Sequence, residues 1–215
     1  MHIPDGFLSP QTFLPAYAVA AAAWAYGARR LRAELDERTL PWLAALTAFS
    51  FVLMLILVPL PGGTTAHASG IAVLAVLAGV WTAFLCISLV LVLQALLLGD
   101  GGVTALPLNA LAMGLAGSAA AVLAYRGLRR FGERAALFAA GWLAVNVSAA
   151  LLALALGVQP LIAAAEDGTP RFFPFGLAIT LPAVMVPHAM IGIGEGLLTV
   201  ALVRLARRYV PQAAS

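Results

Sequence analysis

The chain opens with Met1-His2, a pair that carries the atoms of a metal chelate. A free Met1 amine and the His2 backbone nitrogen close a five-membered ring on a metal ion. That backbone nitrogen and the imidazole Nδ1 of His2 close a six-membered ring. Three nitrogens then share one plane, provided the His2 amide gives up its proton. Ni(II) and Cu(II) promote this deprotonation and favour planar or tetragonal nitrogen sites. The plainer alternative is a chance histidine on a disordered tail. Two features favour the chelate. Ile3-Pro4-Asp5-Gly6-Phe7-Leu8 reads as a defined turn, because Pro4 fixes φ and Asp5-Gly6 is a turn pair. And the chain has 3 histidines, which the topology below places in its outer half. His67 is the natural fourth nitrogen donor. Because residue 2 is bulky, Met1 is expected to be retained with a free amine. The opening stretch has no basic n-region, so no cleavable leader is expected.

The remaining polar groups are candidates for holding such ligands in place. His188, Gly192, Glu195 and Thr199 fall on one helical face. His188 is either a ligand or a histidine hydrogen-bonded at a helix end. Glu195 is the only carboxyl group inside an apolar span, where ionisable groups are functional candidates. It is read as fixing the N-terminal segment or a histidine, with a hydrogen-bonded packing residue as the alternative. Gln94 and Asn109 flank Gly99-Asp100-Gly101-Gly102 and are placed to bond either the N-terminal segment, together with Asp5, or a neighbouring helix. Cys86, the lone cysteine, reads as a small buried hydrophobe. Ala16/Ala20, Ala44/Ala48 and Gly192/Gly196 are small-residue pairs for close helix contact, internal or with a partner.

The elements that carry these groups belong in lipid. Of the 215 residues 63% are hydrophobic and 10% charged, and mean hydropathy is +1.01. Soluble domains are about 45–50% apolar and about 25% charged. The chain contains no lysine, so it lacks the lysine of a phosphate-binding P-loop and is expected to bind no nucleotide. Its arginines cluster at segment ends, which argues against nucleic acid as a partner. Eleven of the 12 lie at residues 29–38, 126–134 and 204–208, which should be cytoplasmic. The N-terminus and the His67 loop then lie outside.

Apolar runs predict spanning helices at about 11–28, 41–58, 105–125, 135–157 and 187–208. Residues 68–98 are apolar throughout. An odd number of crossings must link the outer His67 loop to the inner Arg126. The 59 residues from Ala68 through Arg126 suit three crossings of about 20 residues each. Two of those are therefore predicted at 68–80 and 83–98, turning near Gly79. The fold class is an all-α polytopic membrane protein, a single domain over 1–215. It has seven transmembrane helices, an outer N-terminal segment (1–10) inserted toward the bundle, and a cytoplasmic C-terminus. Pro182 and Pro187 are expected to break the helix. The last span then begins at Pro187, and 175–186 is a re-entrant or interfacial piece.

Four stretches resemble one family: Met-His-Ile-Pro-Asp-Gly-Phe-Leu-Ser-Pro (1–10), Pro-Gly-Gly-Thr-Thr-Ala-His (61–67), Leu-Gln-Ala-Leu-Leu-Leu-Gly-Asp-Gly-Gly-Val-Thr (93–104) and Gly-Glu-Gly-Leu-Leu-Thr (194–199). They are similar to the CbiM/NikM family, the substrate-binding membrane components of energy-coupling-factor transporters for cobalt and nickel. The resemblance covers essentially the whole chain. It implies a metal site made of the Met1 amine, both nitrogens of His2, and His67. It also implies seven helices, Ni(II) or Co(II) as transported substrate, and a link to cobalamin biosynthesis. The implied partners are a transmembrane coupling component, a pair of cytoplasmic ATPases and a small accessory membrane subunit, here expected as a separate chain. The location implied is the inner cell membrane. The chain departs from the pattern at Asp100, where many relatives carry histidine, and at Thr64-Thr65-Ala66.

Two other classes compete. A gradient-driven carrier or channel would favour charged residues along a pathway, and Glu195 alone qualifies. An intramembrane metalloenzyme would need a His-Glu-x-x-His pair, which the sequence lacks.

Overall fold

In the computed structural model, residues 2–34, 36–37, 39–60 and 64–209 are described. Met1 lies outside the described residues, as do Arg38 and the Pro61-Gly62-Gly63 stretch. Long apolar runs form helices because lipid offers the backbone no hydrogen-bond partner, so each N–H must pair within its own segment. The helices are α1 (Pro10–Glu34), α2 (Thr39–Met54), α3 (Ile71–Ala78), α4 (Val80–Leu98), α5 (Leu106–Phe131), α6 (Glu133–Ile162) and α7 (Leu177–Tyr209). An antiparallel hairpin, β1 (Val58–Leu60) and β2 (Thr64–Ala66), pairs Val58 with Ala66 and leads directly into His67.

Four helices among the described residues, α4 to α7, are long and apolar enough to cross a bilayer. α1 has 25 residues and α2 has 16, which at about 1.5 Å per residue gives roughly 37 Å and 24 Å. The hydrocarbon core is about 30 Å thick.

The structure differs from the sequence expectation in three places. First, the run predicted to span at 68–80 is α3, with 8 residues, about 12 Å long. Gly70 (φ 69) and Gly79 (φ 83) bracket it, and positive φ interrupts a right-handed helix on either side. Hydropathy alone does not register those breaks. Second, the run predicted at 41–58 leaves the helix at Met54 and re-forms as β1. Third, α7 is one continuous helix of 33 residues with Pro182 and Pro187 inside it. Residues 175–186 are therefore not a separate re-entrant piece, and the last helix does not start at Pro187. An interior proline costs about 3 kcal/mol, and close packing against α6 offsets this. A Cβ on Gly196 would lie 2.8 Å from the Phe138 carbonyl, and one on Gly141 would lie 2.7 Å from the Glu195 carbonyl. The Trp142 indole N–H also donates to the Ala189 carbonyl at 3.1 Å. The Gly192/Gly196 pair is thus spent on internal packing, whereas Ala44 and Ala48 face outward.

The two faces of α7 show how lipid sorts the chain. His188, Gly192, Glu195 and Thr199 are buried, while Val186, Met190, Ile193 and Leu197 are exposed. Apolar side chains meet the lipid and polar ones turn inward, the reverse of a soluble surface helix. At one end of the bundle Arg207 bonds Glu133 and donates to the Tyr125 hydroxyl at 3.0 Å. That contact brings the arginine clusters at 126–134 and 204–208 together.

Candidate metal centre

The N-terminal segment is packed into the protein like a core strand. Ile3 and Leu8 belong to the main hydrophobic cluster. Gly6 (φ 84) supplies the turn between Asp5 and Phe7. The Asn109 side chain clamps Ile3 from both sides, accepting from its N–H at 3.0 Å and donating to its carbonyl at 3.1 Å. The Gly102 N–H donates a second bond to that carbonyl, at 3.0 Å. The Asp5 carboxylate accepts from the Val103 and Thr104 amides at 3.1 and 2.8 Å and from the Thr104 hydroxyl at 2.5 Å. Gly102 must be glycine, because a Cβ there would sit 2.4 Å from the Asp5 backbone nitrogen. On the other flank, Gln159 accepts from the Ser9 N–H at 2.9 Å, and Phe173 packs on Phe7 with ring centres 5.5 Å apart.

This seat brings His2 and His67 together. Both are buried, with ring centres 4.7 Å apart and ring planes tilted by 44°. The His67 Nδ1–H donates to the Ala68 carbonyl at 3.0 Å. That bond places the ring proton on Nδ1 and the lone pair on Nε2. The Nε2 is buried without a hydrogen-bond partner. His2 Nδ1 lies 3.1 Å from Asp100 Oδ2. Glu195 anchors the turn after His67. Its carboxyl oxygens accept from the Ser69 N–H at 2.8 Å, the Ser69 hydroxyl at 3.1 Å and the Gly70 N–H at 2.7 Å. His188 donates from Nδ1 to the Val184 carbonyl at 2.7 Å, leaving a buried Nε2 without a partner. The Gln94 side-chain amide is buried and unbonded, while the Gln94 backbone carbonyl receives the Asp100 N–H at 3.1 Å.

Among the described residues no three His, Cys, Asp or Glu side chains converge as a metal cluster. A chelate built on an amine and a backbone nitrogen asks for only two imidazoles. Sequence reasoning missed Gln159, Phe173 and the Ser69-Gly70 amides. A buried glutamine at the end of α6 is visible as a polar interruption, but its partner, Ser9, lies 150 residues away.

Burial is the main influence on both imidazoles and holds them below the usual 6.5, His67 well below. Both are therefore neutral at pH 7, the form that binds metal. For Asp5, partial burial opposes ionisation, but the Thr104 and Val103 donors outweigh it and hold the carboxyl below its usual range. The histidine shifts set a pH dependence. The unfolded chain takes up protons below about pH 6.5 while the folded one resists, so the stability due to neutral histidines is present above that value and is lost as pH falls below it. Metal-free protein in detergent is expected to melt at a lower temperature near about pH 5 than near about pH 7.5, and a His67→Gln variant should show a smaller drop. Equal drops in both proteins would contradict this account.

These features define a multi-pass α-helical membrane protein whose N-terminal segment is built into the bundle beside two buried histidines. The chain belongs to the CbiM family, described as the cobalt uptake substrate-specific transmembrane region, which it matches over residues 2–213. It is 40% identical over 219 residues to the fused nickel transport protein NikMN of Rhodobacter capsulatus, covering 99% of this chain and 63% of that protein. It is 33% identical over 220 residues to the cobalt transport protein CbiM of Geobacter sulfurreducens, covering 98% of this chain and 60% of that one. The chain thus spans less than two thirds of the length of either relative. The crystal structure of a truncated transition metal transporter superposes with a TM-score of 0.94 at 36% identity, covering 98% of this chain and all of that one. The relatives are transport proteins rather than enzymes.

Proposed function

We propose that this chain is the metal-capture subunit of an energy-coupling-factor importer for Ni(II) or Co(II). The ligands are the Met1 amine, the backbone nitrogen and Nδ1 of His2, and Nε2 of His67. The observation that carries this reading is the spacing of the two imidazoles. In the chelate the His2 backbone nitrogen takes the middle position, so Nδ1 and the fourth nitrogen are neighbours at a right angle. With metal–nitrogen bonds of about 2.0 Å, rings at right angles have centres about 4.5 Å apart, and rings on opposite sides about 6 Å. The observed separation is 4.7 Å, the value for neighbours. The buried, unbonded Nε2 of His67 is the lone pair that such an ion would use.

In this reading the seven helices form one bundle, with the N-terminal segment at the outer mouth and the arginine end in the cytoplasm. A coupling membrane component, an ATPase pair and a small accessory subunit drive reorientation and release. A planar site with an ionised amide suits Ni(II) better than Co(II). Titrating the purified protein with Ni(II) tests the ligand set. The expected product is a yellow, diamagnetic complex. A pale, paramagnetic complex, or no binding, would refute planar nitrogen ligation.

A further inference from the structure

The four proposed ligand nitrogens leave one charged group of the site without a task. Asp100 sits in a turn whose other residues, Gly99, Gly101 and Gly102, have no side chains. Gly99 (φ 67) and Gly101 (φ 83) hold conformations that favour glycine. The Asp100 N–H is tied to the Gln94 carbonyl, and a Cβ on Gly101 would lie only 3.2 Å from the His2 Cβ. The turn is therefore pressed against His2, and the side chain it presents there is a carboxylate. Asp100 Oδ2 lies 3.1 Å from His2 Nδ1, with side-chain exposures of 18% for Asp100 and 1% for His2. That oxygen is itself buried, and among the described residues no hydrogen-bond donor other than the His2 ring stands beside it. A buried carboxylate oxygen without a donor is unfavourable. The other acids near this end are satisfied, Asp5 by Val103 and Thr104 and Glu195 by Ser69 and Gly70.

We propose that Asp100 is the counter-charge of the captured ion, a carboxylate beside the chelate that offsets its charge without joining the four nitrogens. The inference rests on the ligand set proposed above. A divalent ion brings two positive charges and the ionised His2 amide brings one negative. The Met1 amine and both imidazoles are neutral. One positive charge remains in a buried site, and Asp100 cancels it. The protons released from the amide and the Met1 ammonium go to solvent.

Asp100→Asn keeps the size and the turn and removes the charge. Ni(II) affinity, measured by competition with a coloured chelator, is expected to fall about 10- to 100-fold, the usual range for groups that support metal ligands. The absorption maximum should not move, because the four nitrogens are unchanged. Asp100→Glu should recover most of the affinity. Melting of each metal-free variant, compared with the parent, checks that the turn has survived. Parental affinity in Asp100→Asn would overturn the proposal. So would equal losses in the Asn and Glu variants, which would assign the effect to turn geometry. A shifted absorption band in Asp100→Asn would also overturn it, by making Asp100 a direct ligand. If the parent itself forms no planar Ni(II) complex, the ligand set fails first and this inference falls with it.

Discussion

Alanine in place of His67 is expected to abolish high-affinity Ni(II) binding. The variant keeps the three nitrogens of Met1 and His2 but loses the donor that closes the plane. Supporting groups around a metal typically change affinity about 10- to 100-fold, so loss of a ligand should exceed about 100-fold. Folding should suffer little by comparison. The variant loses one bond from Nδ1 to the Ala68 carbonyl, a contribution of about 1 kcal/mol, together with some buried ring contact. The measurements are a Ni(II) competition titration and the yellow absorption band, with metal-free melting as control. Unchanged affinity would sink the assignment. One residue added before Met1 should act in the same way, because it moves the amine out of chelate-ring distance while leaving both imidazoles in place.

The second large effect is expected from Glu195→Ala. This carboxyl group receives three hydrogen bonds from Ser69 and Gly70. Alanine would strand two buried backbone N–H groups at the start of α3, each at about 1–3 kcal/mol. A combined loss of roughly 2–6 kcal/mol is a large share of the stability of a typical domain. The same bonds fix the turn two residues after His67, so Ni(II) affinity should fall with stability. Glu195→Gln separates the contributions. Its single carbonyl oxygen can still accept from Gly70 N–H and the Ser69 hydroxyl, but its amide nitrogen cannot accept from Ser69 N–H. An intermediate loss is therefore expected. If Glu195→Ala melts like the parent, the anchoring role is wrong.

Local chemistry was legible in the sequence to different depths. The turn at Pro4-Asp5-Gly6 and the shared face of His188, Gly192, Glu195 and Thr199 follow from residue type and helical period, and the structure has both. The break near Gly79 is present as well. The extent of α3 and the continuity of α7 were not legible. The first depends on the conformation of Gly70. The second depends on a packing surface, made of Gly141, Gly192 and Gly196, that outweighs two prolines.

The sequence by itself determined that lipid is the solvent, that Met1-His2 has the atoms of a chelate, and which side of the last helix is polar. Composition, covalent connectivity and periodicity decide these things within a few residues. Tertiary structure alone decided which groups meet. It set His67 beside His2, the Asp100 carboxylate beside the His2 ring, Gln159 on Ser9, and Glu195 under the Ser69-Gly70 turn. In lipid no hydrophobic drive distinguishes one apolar helix pairing from another. Such meetings depend on how small residues and buried hydrogen bonds let the helices close on each other, and that is a property of the assembled bundle.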